Sequence, residues 1–409
     1  MTIRHRSAIS VVVLVVLAVF VLLGRWYTLR RATPALTPAA LTVTVTSGGD
    51  RGAGTLREAL FVADAAPGPA RILIQISSLT IESALPPVIN PHGIQISASP
   101  AAGAIDAHRL SAGDPVFDID AEQASIVGVS IKGCAGTAVL VRASRFRLES
   151  STIQSCDVGV EVAANASELA LERNRLDSNR VGIRFTAGSR DTVLVKNTFS
   201  NNRDAGLWLI ASQADASADS ISVRDNSFND NGTGVVLGNV PTVLEHNDFN
   251  SVRDAAVHVI GAGAVIRNNH ISTGAAAGIV AENARSAIIE ANELDHLQGY
   301  GMLLRGASDT LVRGNRITSG GYGMAFVLGD AHRPNTAVDN TMMDLKYDGI
   351  DVIGESPVLR HNQVAQAQGL PLRVADFSSP GGGTVRAQPL LENNSFQLQA
   401  TAAQSAAKR

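Results

Sequence analysis

A pattern of apolar and polar positions returns roughly every 22–23 residues over most of the chain, and an asparagine marks each return. An apolar residue stands two places after each of these asparagines, and another stands three places before it. The marked positions are Asn174, Asn197, Asn226, Asn247, Asn269, Asn292, Asn315, Asn340, Asn362 and Asn394. A single asparagine of this kind is an ordinary turn residue, but ten agreements at a shared period indicate a solenoid of stacked coils.

A second block follows seven to ten places after most of these asparagines, and it reads glycine, apolar, any residue, apolar. Gly206-Leu-Trp-Leu and Gly301-Met-Leu-Leu are two examples. This alternation sends the apolar residues inward and the middle residue outward. Each coil is therefore predicted to hold three short strands, which pair in parallel with the next coil about 4.8 Å away.

An asparagine at the same turn of every coil can donate from its amide to one neighbour and accept from the other, so a buried polar column satisfies itself. The residue two places before the asparagine alternates in charge along consecutive coils, as Glu245, Arg267, Glu290 and Arg313. We interpret these four residues as a ladder of surface ion pairs, each worth little, rather than as a binding patch.

The repeat resembles that of right-handed parallel β-helix proteins in the pectate-lyase-like superfamily, over residues 90–398. Residues 41–89 resemble the strand–helix–strand module that opens many secreted β-helix proteins. In this module Thr55 can cap a helix whose apolar face is Leu56, Ala59, Leu60 and Ala63. Such a helix would cover the open end of the solenoid. The resemblance implies an all-β fold with a short N-terminal capping helix, and it implies little about function.

The N-terminal end of the chain is strongly apolar. Ala8 to Leu23 span 16 residues, close to the lower limit for a transmembrane helix. Trp26 and Tyr27 follow, as in an interfacial aromatic belt. A cleaved signal peptide is the alternative, although Leu22 would then occupy a position that requires a small residue. The predicted organisation is a single membrane anchor (1–31), a linker (32–40), the opening module (41–89), the β-helix (90–398) and a disordered tail (399–409).

The net charge and the two cysteines indicate which kinds of partner and which cellular compartment to expect. The net charge is −3 and no basic block occurs, so nucleic acid is not an expected partner. Cys134 and Cys156 are 22 residues apart, which is one coil, and a disulfide between them is favoured over two free thiols. A disulfide indicates an oxidising compartment, so we expect the C-terminal bulk in the periplasm and the anchor in the inner membrane. No cofactor and no metal site are predicted.

The outward positions of the glycine block form the candidate binding face. Outside the anchor region, all four Trp and Tyr residues fall on or beside these positions, and they are Trp208, Tyr300, Tyr322 and Tyr347. Flat rings with a polar edge suit stacking on sugars. Arg184 and Arg203 lie nearby as further binding candidates. The alternative for Tyr300 and Tyr322 is that they occupy the same place in adjacent coils and stack on each other.

Two local groups are candidates for catalysis, and at the strand spacing they lie about 19 Å apart. One is the coil with Arg253, Asp254 and His258, where an arginine could neutralise a uronate and a base could take a proton. The other is Asp348 with Asp351. The run Asp348-Gly-Ile-Asp351 resembles a segment of polygalacturonase-type β-helix glycosidases, but the paired aspartates of the next coil, the Gly-His-Gly and the Arg-Ile-Lys of that family are absent.

Two functional hypotheses follow. The first is a membrane-anchored periplasmic protein that binds a polysaccharide without catalysis, with an envelope protein as a further candidate partner. The second is a lyase, a C5-epimerase or a glycoside hydrolase acting on an acidic polysaccharide. The apolar residues at the centre of the candidate face and the missing catalytic signatures favour the first hypothesis.

Overall fold

The computed structural model describes residues 41–99, 102–164, 166–211, 221–272, 274, 276–379 and 383–398. The predicted anchor, linker and tail lie outside the described residues. Within the described ranges, no helix has the length and apolar character needed to cross a membrane.

Three parallel sheets run along the solenoid, and most coils contribute one strand to each sheet. The first sheet consists of Leu41–Val45, Ala70–Ile74, Ile94–Ala98, Ser125–Val127, Arg147–Glu149, Ala170–Glu172, Val193–Val195, Ile221–Arg224, Thr242–Glu245, Ala264–Arg267, Ile288–Glu290, Leu311–Arg313, Thr336–Val338, Val358–Arg360 and Leu390–Glu392. The second sheet consists of Ser78–Thr80, Ala104–Asp106, Ser130–Lys132, Thr152–Gln154, Arg175–Asp177, Thr198–Ser200, Ser227–Asn229, Asp248–Asn250, His270–Ser272, Glu293–Asp295, Arg316–Thr318, Thr341–Met343, Gln363–Ala367 and Ser395–Leu398. The third sheet consists of Phe117–Ile119, Thr137–Val141, Val158–Val162, Val181–Phe185, Ala205–Leu209, Thr233–Leu237, Ala255–Val259, Ala277–Glu282, Tyr300–Arg305, Tyr322–Val327, Ile350–Ile353 and Leu372–Ala375. A short antiparallel pair, Phe377–Ser378 with Thr384–Val385, follows the last of these strands.

The predicted asparagine ladder is confirmed at the turn between the first and second sheets. From Asn174 to Asn394, each side-chain amide donates to the side-chain oxygen of the next ladder asparagine over 2.9–3.0 Å. The residue before each ladder asparagine has a left-handed φ between 51° and 63°. Because that conformation costs a non-glycine residue about 1 kcal/mol or more, the ladder bonds stabilise a corner that the backbone alone disfavours.

The turn between the second and third sheets is filled in three different ways. The disulfide between Cys134 and Cys156 is confirmed, with Cα atoms 4.4 Å apart. The next coils carry a second, shorter ladder, which the sequence analysis missed, at Asn179, Asn202 and Asn231. The backbone N–H of Cys156 donates to Asn179 Oδ1 over 3.0 Å, so the disulfide and the ladder are continuous. Later coils place buried apolar residues at this turn, namely Val252, Leu297 and Leu345.

The two ends of the solenoid differ. The helix Leu56–Asp64 is capped by the Thr55 side chain, and its predicted apolar face is buried, as expected. Leu41–Val45 and Ala70–Ile74 are the first two strands of the first sheet, so the opening module is continuous with the solenoid. In the last coil the inward positions are uncovered: Val374 is 45% exposed and Leu391 is 47% exposed.

Candidate functional site

The outer face of the third sheet carries the outward residues in the predicted order. The strand register aligns them coil by coil as Asp118, Leu140, Glu161, Arg184, Trp208, Val236, His258, Val280, Leu303, Ala325, Asp351 and Arg373. Trp208 is half-buried between Arg184 and Val236 in this row. Arg184 donates to Glu161 over 2.8 Å, so its charge is compensated within the row.

The three tyrosines form one continuous stack at the edge of this face. The ring centroids of Tyr300 and Tyr322 are 4.5 Å apart, and those of Tyr322 and Tyr347 are 4.6 Å apart. The stacking that was the alternative for Tyr300 and Tyr322 is therefore present, and it extends to a third ring. Since Tyr322 has a ring on each side, only its edge is available to a ligand. Tyr347 ends the stack and is 49% exposed.

The two candidate aspartates are joined by an arginine that the sequence analysis did not single out. Arg373 donates to both oxygens of Asp351 over 2.9 and 3.0 Å, and its Nε lies 3.1 Å from Asp348 Oδ2. The Tyr300 hydroxyl, two coils away, donates to Asp351 Oδ2 over 3.1 Å. Burial, together with the adjacent Asp351 carboxylate, raises the pKa of Tyr300 to about 12.

Asp351 is almost completely enclosed by these partners, with 1% of its side chain exposed. The second oxygen of Asp348 accepts from the backbone N–H of Leu370 over 2.7 Å. Both carboxylates are thus engaged by the protein itself, in an arrangement that stabilises the last coils. A substrate would have to displace Arg373 to reach Asp351, so the catalytic role of this pair stays a prediction.

The second candidate group is not assembled in the way its sequence spacing suggested. His258 Nε2 lies 3.3 Å from Glu282 Oε2 of the next coil, although the angle does not make a hydrogen bond. Glu282 also accepts from Arg305 over 2.6 Å. Arg253 instead reaches back two coils and donates to the carbonyl of Arg203 over 2.7 Å, while Asp254 is exposed.

Arginines border the third sheet at both edges. Before its strands, Arg203 and Arg253 line an open cleft of about 320 Å³ with Asn201, Asp230 and Ser251. After its strands, a cleft of about 380 Å³ is lined by Asn283, Arg285, Gly306, Ser308, Asp330 and Arg333. The residues that sequence reasoning missed here are Glu282, Arg305 and Arg373. Glu282 and Arg305 each stand two places after a residue of the outward row, Val280 and Leu303, and so point to the same face. The alternation of the repeat could have identified them.

Two family models match the chain. The model described as "Right handed beta helix region" matches residues 215–368. The model described as "Periplasmic copper-binding protein (NosD)" matches residues 74–258. A comparison with curated protein sequences found no match.

Among the described residues, neither the histidines nor the cysteines form a set that fits a copper centre. Copper is held in proteins by histidine, cysteine and methionine side chains. Both cysteines of the chain are joined in the disulfide. Throughout the part of the chain that the structure describes, no three His, Cys, Asp or Glu side chains form a group that could hold a metal ion.

Solved structures with the same fold include proteins that act on polysaccharides. The A-module of the mannuronan C-5 epimerase AlgE6 from Azotobacter vinelandii aligns over 88% of this chain and 99% of its own, with 13% identity and a TM-score of 0.56. The tailspike protein of E. coli bacteriophage HK620, solved with a pentasaccharide, aligns over 86% and 78%, with 10% identity and a TM-score of 0.52. The catalytic domain of a GH87 alpha-1,3-glucanase, solved with tetrasaccharides, aligns over 89% and 70%, with 12% identity and a TM-score of 0.51. At these identities the likeness concerns the fold alone, and that fold is the right-handed parallel β-helix.

Proposed function

We propose that this protein binds a polysaccharide along the outer face of the third sheet and that it does so without catalysis. The observation that carries the proposal is the distribution of aromatic side chains. All Trp and Tyr residues of the described ranges lie on or beside this face, and these are Trp208, Tyr300, Tyr322 and Tyr347. Rings with one apolar face and one polar edge suit the apolar faces and hydroxyl groups of sugars.

The surrounding charges support an acidic polysaccharide. Arg203 and Arg253 border one edge of the face, and Arg285 and Arg333 border the other. Guanidinium groups bind carboxylates and sulfates with paired hydrogen bonds. The absence of catalysis is supported by Asp351, whose oxygens are already taken by Arg373 and Tyr300.

A glycan array probed with the purified chain tests this proposal. We expect binding to acidic polysaccharides, and about tenfold weaker binding after Trp208→Ala or Tyr347→Ala, because each change removes a ring platform. Phe61→Ala is the matched control, since Phe61 is an aromatic residue of the capping helix with 61% exposure. Undiminished affinity in both variants, or no binding to any polysaccharide, would count against the proposal.

The second candidate function is a polysaccharide lyase, C5-epimerase or glycoside hydrolase acting on an acidic polysaccharide. His258 beside Glu282 favours it, because an imidazole is the side chain that most often acts as a general base. Incubation with mannuronan and polygalacturonate distinguishes the reactions: unsaturated ends indicate a lyase, inverted C5 centres an epimerase, and new reducing ends without unsaturation a hydrolase. Loss of the activity in His258→Ala would assign the activity to this residue. If the polymers are unchanged, the enzyme hypothesis is wrong and only the binding function remains.

We further propose that the apolar segment Ala8 to Leu23 holds the chain in the inner membrane, with the β-helix in the periplasm and an envelope protein as a candidate partner. The length of this segment, the disulfide and the match to a periplasmic family support the arrangement. Protease treatment of spheroplasts should degrade the β-helix, and the chain should stay with the membrane fraction. A mature N-terminus after Gly24, found by mass spectrometry, would contradict the anchor.

A further inference from the structure

The outer face of the first sheet carries a row of mainly apolar residues. The row occupies the position four places before each ladder asparagine, which points outward because its neighbours on both sides in the strand point inward. In the coils from Asn197 to Asn362 it reads Val193, Ser222, Val243, Val265, Ile288, Leu311, Thr336 and Val358. All eight side chains are partly exposed. At the strand spacing the row is about 34 Å long.

The fold does not require this composition. The equivalent outward positions of the second sheet, stacked in the same way, read Thr198, Ser227, Asp248, His270, Glu293, Arg316, Thr341 and Gln363. Polar and charged residues at outward positions are therefore compatible with the stacking of the coils. A partly exposed row with four successive apolar residues, Val243, Val265, Ile288 and Leu311, on only one of these two faces indicates a surface that is covered by a partner.

The row is symmetric about its own centre. A two-fold axis that runs along the strands, midway between the coils of Val265 and Ile288, maps the row onto itself in reverse order. Across this axis Val265 meets Ile288 of a second copy, and Val243 meets Leu311. The polar positions also meet each other, Ser222 with Thr336, so no polar group faces an apolar one.

The charged row two places further along the same strands obeys the same axis. It reads Val195, Arg224, Glu245, Arg267, Glu290, Arg313, Val338 and Arg360. Within one copy Arg267 pairs with Glu245, and Arg313 pairs with Glu290. The axis places these two ion pairs opposite each other, so that Arg267 also faces Glu290 of the second copy and Glu245 also faces Arg313. The remaining arginines of these eight coils face valines. In the two coils beyond them, Glu172 faces Glu392 of the second copy, so the charge match is confined to the eight central coils.

We propose that two copies of this chain associate face to face through the first sheet, antiparallel along the solenoid, about the axis between Val265 and Ile288. Such an interface is isologous and closes at two copies. The two rows cover on the order of 400 Å² per copy, about half of a standard interface, so the dissociation constant is expected in the micromolar range or weaker.

Sedimentation of the full chain from about 1 to about 200 µM tests the association. We expect a reversible dimer, and at least tenfold weaker association in Val265→Lys and Ile288→Lys. Val280→Lys, the same change on the outer face of the third sheet, is the control and should leave the dimer intact. Circular dichroism checks that each variant is folded. A monomer at every concentration, or equal effects of Val265→Lys and Val280→Lys, overturns the proposal.

A cross-linking experiment tests the axis itself. Val243→Cys and Leu311→Cys are three coils apart in one copy, about 14 Å, but face each other across the axis. The double variant should give a covalent dimer with a short bismaleimide, and either single variant should not. The native cysteines do not interfere because they are joined in the disulfide. Dimers from a single variant alone would require a different axis.

Discussion

The turn that carries the asparagine ladder and the outer face of the third sheet are built by the same repeat, yet they differ in uniformity. Every coil from Asn174 to Asn394 repeats one residue and one hydrogen-bonding pattern at the turn. The outward row of the third sheet changes chemistry at almost every coil, from Trp208 to Val236 to His258. One region is buried and the other is partly exposed.

The difference separates two kinds of constraint. A buried amide must be satisfied in each coil, because an unpaired donor or acceptor costs about 1–3 kcal/mol. An outward side chain has water as an alternative partner, so the repeat leaves its identity open. Variation along a row therefore marks positions where ligand binding can be selected without loss of the fold.

The largest expected effect comes from Asn269→Ala in the middle of the ladder. The change removes the acceptor of the Asn247 amide and the donor to the carbonyl of Leu244. We expect the free energy of unfolding in urea to fall by on the order of 3 kcal/mol or more. Asn250→Ala, at an exposed position, is the control and should change it by less than about 0.5 kcal/mol. Equal effects at both sites would remove the distinction between the two regions.

The next effect concerns the turn where the disulfide replaces the ladder. Changing Cys134 and Cys156 together to Ala opens a link between residues 22 positions apart. We expect a loss of about 3 kcal/mol, and a corresponding fall in the temperature of thermal unfolding. Reductant should destabilise the native chain by a similar amount. A native chain that is equally stable with and without reductant would show that the neighbouring Asn179 ladder holds this turn alone.

A buried carboxyl outside the ladder gives a pH-dependent effect of similar or smaller size. Burial raises the pKa of Glu355 from 4.5 to about 7, although Asn335 and the N–H of Gly329 donate to its oxygens. Because the folded state holds this proton more tightly, its contribution to stability is complete below pH 4.5 and is lost as the pH rises to about 7. The loss is at most about 3 kcal/mol.

Urea unfolding between pH 4.5 and 8 measures this dependence, and Glu355→Gln should flatten it. Glu392→Gln is the control, since Glu392 is an exposed residue of the last coil. If the free energy of unfolding changes with pH equally in Glu355→Gln and the native chain, other groups cause the pH dependence. Glu355 would then contribute as little to stability as an outward residue.

The smallest expected effect tests the polar cluster on the third sheet. Tyr300→Phe keeps the ring stack but removes the hydrogen bond to Asp351. Because Asp351 keeps both bonds from Arg373, we expect a loss of only about 1 kcal/mol. Tyr322→Phe, in the middle of the same stack, should change stability less. A larger loss in Tyr322→Phe would show that the stack, rather than the bond to Asp351, holds these coils together.

The period of the sequence was sufficient to predict the coils, the ladder, the disulfide and the outward row of the third sheet. Backbone hydrogen bonds between coils require neighbouring strands to lie in register, so equal positions in the repeat must meet. The capping helix was predictable for a different reason, because Thr55 and the apolar face from Leu56 to Ala63 are local signals.

The tertiary structure alone decided the partners of long side chains. Arginine and tyrosine reach further than one coil spacing of about 4.8 Å, so neither sequence distance nor repeat position specifies what they contact. Tyr300 bonds to Asp351 and Arg253 to the carbonyl of Arg203, in each case two coils away. The enclosure of Asp351 combines both effects, because Arg373 is its neighbour in the outward row whereas Tyr300 reaches it from two coils away. The repeat determines which residues occupy equivalent positions in neighbouring coils. The length of the side chains determines which coils are joined by side-chain hydrogen bonds.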